Sequence, residues 1–282
     1  MPPSRYAGRR SFHGTPSGGI VPAADVRIGY RRVTVGQTEV DIRTYRRFDD
    51  AGTPDWPEAP GEVVLVHGIG ASERYYGPLI RELARTSIVH TLELPGFGST
   101  PKPRRQLQME DFGRIAVEAL ELAGISGAQW VGHSMGCQAV VEMALAAPGA
   151  ASSVVLLGPT INDAERSAPL QALRLLQDCL GEPPAVNYIL VTDYLRAGPR
   201  WYLTTLPVMI RHRIEDRLPD VVPPVLLVRG GKDPVVRADW LARLAAARPG
   251  TVTAEIPGQP HVMMYTRPRE TAALIRTAVP KR

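Results

Sequence analysis

The sequence predicts an α/β fold built on a parallel sheet covered by helices on both faces, with an all-helical segment inserted between two of its later strands. Three observations predict it. From Glu62 onward, short apolar runs alternate with helical stretches. The runs are too short for buried helices, and their spacing leaves room for crossovers, as in parallel sheets buried on both faces. The alternation stops at residue 160, gives way to helical patterns until about 220, and then resumes. Finally, 282 residues that are 44% hydrophobic and 22% charged can bury a substantial core, which excludes a disordered or collagen-like chain.

Taken in order, residues 1–24 are rich in Gly, Pro, Ser and Arg without a stable period and read as a mobile basic tail. Val26–Val35 and Glu39–Phe48, joined around Gly36 and Gln37, read as an antiparallel hairpin. Asp49–Gly61 is a turn-rich connector. Strands are then predicted at 63–66, 87–94, 128–133 and 153–158, with helices near 73–85, 109–123 and 135–146 between them. Helices near 168–180, 185–196 and 199–217, punctuated by Gly181, Pro183, Pro184, Gly198 and Pro199, form the insertion. Strands at 224–230 and 251–256 and helices near 237–247 and 268–278 complete the pattern. The organisation is therefore a tail (1–24), a core (25–159 and 221–282) and a helical lid (160–220) over the C-terminal edge of the sheet.

The net charge of +5 is concentrated at the start of the chain. Residues 1–47 hold nine arginines against Asp25, Glu39 and Asp41, whereas the remainder balances to −1. No zinc-finger, KH or RNP spacing accompanies these arginines, so no nucleic-acid partner is expected. Cys137 and Cys179 are too few for a disulfide framework or a cysteine-rich metal site, and no metal is expected. No run of 18 apolar residues and no signal-like h-region occurs, so the expectation is a cytoplasmic protein without a membrane partner. Oligomeric state is not legible.

The chemistry centres on Gly132-His133-Ser134-Met135-Gly136, where a predicted strand meets a predicted helix. Small residues at both outer positions permit a tight, strained turn that lifts the Ser134 hydroxyl above the sheet, beside helix-start N–H groups. A serine needs a base and an orienting acid. His261 is the best base, because it lies in PGQPH between the last strand and the last helix. His13, His67, His90, His133 and His212 are read as packing, hydrogen-bonding or exposed residues. Asp233, in RGGKDPVV just after a strand, is the natural acid, and the order Ser134, Asp233, His261 suits a sheet of this kind. Asp163, in GPTIND after the preceding strand, is the alternative acid. The N–H groups of Ile69, in His67-Gly68-Ile69-Gly70, and of Met135 form a candidate oxyanion hole. G-x-G-x-x-G and a phosphate-binding lysine are absent, so no dinucleotide cofactor is expected.

Together, VVLVHGIG at 63–70, LPGFGST at 94–100, VGHSMGCQAV at 131–140, PVLLVRGGKDPVV at 224–236 and IPGQPH at 256–261 resemble an α/β-hydrolase. Within that superfamily the chain is similar to lidded esterases related to non-haem haloperoxidases, meta-cleavage product hydrolases and lactonases. The resemblance covers about residues 27–279. It implies an eight-stranded, mostly parallel core whose first strands are antiparallel, cofactor-free hydrolysis, an acyl-enzyme resolved by water, and a pocket near Gly96–Thr100. Gly68, Phe97, Trp201 and Tyr202 are the candidate substrate-binding residues. One departure is GQPH, which replaces the common small-residue pair before the histidine. Dehalogenases and epoxide hydrolases share such a sheet but use an aspartate nucleophile, and Ser134 argues against both.

The expected function is hydrolysis of a small to medium hydrophobic carboxylic ester, lactone or thioester, with water as the second substrate. The alternative is carbon–carbon hydrolysis of a vinylogous diketone acid, for which Arg196, Arg200, Arg211 and Arg213 are candidate counterions. A further alternative is a non-catalytic binding protein on the same fold.

Overall fold

The computed structural model describes residues 25–49, 53 and 61–278. The predicted tail and most of the connector lie outside the described residues.

Eight strands form one sheet: β1 (Val26–Val35), β2 (Thr38–Arg47), β3 (Gly61–Val66), β4 (Ser87–Glu93), β5 (Gln129–His133), β6 (Val154–Leu157), β7 (Val225–Gly230) and β8 (Val252–Ile256). Their spatial order is β1-β2-β4-β3-β5-β6-β7-β8. The hairpin β1–β2 is antiparallel and β2 is antiparallel to β4, so β2 alone runs against the other seven. All pairings from β4 to β8 are parallel.

Crossover helices cover both faces: α1 (Gly77–Leu83), α2 (Met109–Ala123) and α3 (Met135–Ala146). Strand periodicity divides the core between the faces. Val64, Val66, Trp130, Leu156 and Leu227 pack with α2 and α3, whereas Val63, Leu65, Val131, Val155, Leu226 and Val228 pack against α1. This two-sided burial explains why the central strands read as continuous apolar runs.

The insertion between β6 and β7 is helical throughout: α4 (Ala168–Gly181), α5 (Pro184–Ala197), α6 (Pro199–Arg211) and α7 (Ile214–Arg217). The sequence predicts one helix across 199–217, but the chain leaves helical geometry at His212, with φ −65° and ψ 124°. Arg166 supplies the reason, donating to the carbonyls of Ile210 and His212 at 2.9 Å each. These acceptors are thereby satisfied without continuing the helix. Helices α8 (Ala238–Ala247), α9 (Met263–Thr266) and α10 (Pro268–Thr277) close the fold. Among the described residues, no helix is long and apolar enough to cross a membrane.

Three arginines of the basic hairpin are paired with nearby acids. Arg32 makes two hydrogen bonds to Asp41, at 2.7 and 2.9 Å, Arg47 pairs with Asp25 at 2.7 Å, and Arg43 pairs with Glu73 and, at 3.2 Å, with Glu93.

Candidate active site

β5 delivers Ser134 to the C-terminal edge of the sheet, and α3 begins at the next residue. Ser134 has φ 56° and ψ −122° and is the sole non-glycine residue with positive φ among the described residues. The flanking glycines are required by close approach. A Cβ at Gly132 would strike the Gly136 backbone, and one at Gly136 would strike the Val66 carbonyl of the neighbouring strand. The turn buries His133 and Met135 and leaves Ser134 partly exposed. Backbone strain here presents one hydroxyl to the space above the sheet.

His261 follows β8 and α9 follows it, so the imidazole returns to the same edge. Its Nδ1–H donates to Asp233 Oδ2 at 2.7 Å. Asp233 Oδ1 accepts the N–H groups of Val235 and Val236 at 2.8 and 2.9 Å, which fixes the carboxylate in the turn after β7. A Cβ at Gly158 would come within 2.7 Å of His261 Cε1, so that glycine is the seat of the ring. Burial opposes charge on His261, but the Asp233 carboxylate, its hydrogen bond and the acids Asp178 and Glu182 raise the imidazole pKa to about 9. Asp163, the alternative acid, is instead paired with Arg243 at 2.7 Å and lies in a 3-10 turn, Asp163–Glu165, at the start of the insertion. His261 therefore has Asp233 as its hydrogen-bond partner, and Asp163 has Arg243.

A buried relay ties the surrounding loops together. Gly68 N–H donates to the Tyr75 hydroxyl at 2.9 Å, Tyr75 meets His133 Nδ1 at 3.0 Å, and His133 Nε2 meets the His261 carbonyl at 3.1 Å. A carbonyl can only accept, so Nε2 carries the proton and Nδ1 accepts from Tyr75. Desolvation holds His133 well below the ordinary imidazole pKa, in keeping with this neutral form. His67 plays a comparable part, donating from Nδ1 to the Gly68 carbonyl at 2.7 Å and accepting the Leu94 N–H at Nε2, at 3.0 Å.

Ser134, Ile69 and His261 line one cavity of about 430 Å³ beneath the insertion. Ser134 Oγ and His261 share this space without a direct hydrogen bond. Gly68 and Tyr202 also line it, but Phe97 and Trp201 do not. Phe97 is fully buried with its ring edge-on to His67, and Trp201 packs over Gly96 with its ring 6.3 Å from Phe97. Both belong to the packing beneath the lid. The arginines at 196, 200, 211 and 213 are exposed and absent from the lining.

Sequence reasoning missed Asp178, Glu182, Thr160 and Tyr194, all of which line the cavity. The available signal was the spacing of Gln171, Leu175, Asp178 and Glu182, which puts polar groups on an inward stripe running along α4 to its C-terminal cap. Asp178 Oδ1 accepts the His261 N–H at 2.8 Å. Burial raises the pKa of Asp178, and burial, a hydrogen bond to Asp178 and its charge raise that of Glu182 to about 9.

Residues 63–274 match the alpha/beta hydrolase family, and the chain belongs to it. It is 27% identical over 241 residues to pimeloyl-[acyl-carrier protein] methyl ester esterase of Methylococcus capsulatus, covering 76% of this chain and 92% of that protein. It is 24% identical over 252 residues to 2-hydroxy-6-oxononadienedioate/2-hydroxy-6-oxononatrienedioate hydrolase 2 of Pseudomonas putida, covering 78% and 86%. A more local match spans 34% of this chain and only 23% of a longer relative. The enol-lactonase of Burkholderia xenovorans LB400 superposes with a TM-score of 0.73 at 16% identity, over 89% of this chain and all of that one.

Proposed function

We propose that this protein is a serine hydrolase that cleaves a carboxylic ester through an acyl-enzyme. The observation that carries the reading is the strained, accessible Ser134 opening onto the same cavity as an imidazole held by Asp233. His261 takes the Ser134 proton as the hydroxyl attacks the ester carbonyl. The N–H groups of Ile69 and Met135, which donate to no acceptor among the described residues, stabilise the oxyanion. His261 returns the proton to the leaving alcohol and then activates water to release the acid. Catalytic hydrogen bonds commonly tighten only when substrate is bound, which suits the open Ser134–His261 arrangement.

Carbon–carbon hydrolysis of a vinylogous diketone acid is the second reading, and the Pseudomonas putida relative favours it. That chemistry needs a cation for the substrate carboxylate, and no Lys or Arg lines the cavity among the described residues. Asp178 and Glu182 line it instead, and neither supplies the positive charge that such a substrate calls for. The Methylococcus capsulatus relative, a methyl ester esterase by name, is in keeping with the ester reading.

The test is labelling by a fluorophosphonate together with kcat/KM on an ester panel and a diketone acid, with Ser134→Ala as background. Ser134 should be labelled, and ester turnover should vanish in the variant. Comparable turnover by folded Ser134→Ala would remove the mechanism. An unlabelled, inactive wild type would favour a binding protein. A diketone acid preferred about tenfold over every ester, equivalent to about 1.4 kcal/mol in transition-state stabilisation, would favour the second reading.

A further inference from the structure

The lid brings to the cavity a pair of acids that ester hydrolysis leaves without a task. Asp178 lies on α4 and Glu182 caps its C-terminal end, four residues on, and both share the cavity with Ser134 and His261. Asp178 is engaged by the His261 N–H. Glu182 is only 8% exposed, and its Oε2 is buried without a hydrogen-bond partner. Thr160, on the loop after β6, offers an independent sign of the same kind. It lines this cavity at 2% exposure, and its hydroxyl also has no partner. Buried polar oxygens are ordinarily satisfied, so these two point to a ligand that brings the missing hydrogen bonds.

Charge narrows the class of that ligand. Asp178 and Glu182 line the cavity, with Glu182, its pKa about 9, keeping its proton at neutral pH; the charge of His261 is matched by Asp233, His133 is neutral, and no Lys or Arg lines the cavity among the described residues. An anion finds no unmatched cation there, and a purely apolar group would leave Glu182 Oε2 and the Thr160 hydroxyl unpaired. A protonated amine supplies the N–H donor and a positive charge in place of the Glu182 proton, which passes to water. The lid also places Tyr194 and Tyr202 at the cavity, with ring centroids 5.5 Å apart, and aromatic rings are partners for alkylammonium groups. We infer that Glu182, supported by Asp178, is the recognition site for a protonated amine on the substrate, so that the ester taken by this cavity carries a basic nitrogen. This inference rests on the serine hydrolase reading, because amine and scissile ester occupy one cavity.

The test compares dimethylaminoethyl hexanoate with its uncharged isostere, 3-methylbutyl hexanoate, and with 3-hydroxypropyl hexanoate as a neutral donor, all at neutral pH. The wild type should prefer the ammonium ester to the isostere in kcat/KM by about tenfold or more, the scale of one charge-assisted hydrogen bond. Glu182→Gln should reduce that ratio to below about threefold. A wild-type ratio near one, an equal rate for the hydroxyl ester, or an undiminished ratio in folded Glu182→Gln would each overturn the amine site. If the variant does not fold, the wild-type ratios decide. Fluorophosphonate labelling separates the two readings: labelled Ser134 without an ammonium preference removes the amine site and leaves the hydrolase standing. Without labelling the hydrolase reading falls. Calorimetric affinities of Ser134→Ala for the ammonium ester and its isostere then test the amine site alone, with equal affinities overturning it.

Discussion

Asp233 holds His261 with one oxygen while two backbone N–H groups occupy the other. An amide at this position keeps the backbone contacts through its carbonyl and turns its NH₂ toward Nδ1, which favours the wrong imidazole tautomer. Asp233→Asn should therefore preserve the fold and lower kcat/KM by about 10³–10⁴-fold on one activated ester. Asp163→Asn, which removes a surface partner of Arg243, should stay within about twofold; the reverse order of effects would move the acid role. In the proposed mechanism the free imidazole is the base, so kcat/KM should rise with pH through the raised His261 value of about 9. Asp178 contributes to that elevation, so Asp178→Asn should move the ascending limb to lower pH. A limb that remains in place would show that Asp178 serves the loop only as a hydrogen-bond acceptor.

At the scale of elements, the insertion is fastened by charge at its middle and at its C-terminal end. Asp193 on α5 accepts Ser72 at 2.6 Å and Arg74 at 2.7 Å beside the sheet edge. At the C-terminal end, Glu142 on α3 accepts His212 Nε2–H at 2.8 Å and Arg217 at 2.8 and 2.9 Å. Burial opposes ionisation of Glu142, but His212 and Arg217 lower its pKa to about 2. Glu142→Leu leaves His212 buried without its acceptor, whereas Arg217, with a side chain 40% exposed, regains water. The expected loss is about 2–3 kcal/mol, discounted for that exposure and read as a lower melting temperature. An unchanged melting temperature would make the hub dispensable. The strands and crossover helices were legible because burial on two faces imposes apolar runs and caps on the sequence itself. The break at His212 was not, because Arg166, far away in sequence, imposes it. For the same reason the order of Ser134, Asp233 and His261 could be read from motifs and loops, whereas the acids of α4 required knowing which stripe the lid turns inward.

For the molecule as a whole, the opposed pKa shifts define how stability varies with pH. Asp111 and Glu142 have pKa values lowered to about 2, the first chiefly by its hydrogen bond to Arg105 and the second by His212 and Arg217 against burial. Their stabilisation is present above the ordinary carboxylate range and is lost as pH falls through the folded values. Glu182 and His261 act in the opposite sense, with folded values of about 9 against ordinary values of 4.5 and 6.5. As pH rises through each interval, the unfolded chain releases a proton that the folded state retains, so stability declines. For Glu182 the decline begins near 4.5, and for His261 it begins near 6.5. The melting temperature should accordingly peak at about pH 5, far from the sequence pI of 9.4, and fall toward pH 9. Glu182→Gln should flatten the portion between about pH 5 and 6.5, where His261 is protonated in both states, while leaving the later fall attributable to His261. A melting scan across this range checks the assignment. A flat wild-type profile from pH 5 to 6.5 would mean that Glu182 titrates alike in the folded and unfolded chains.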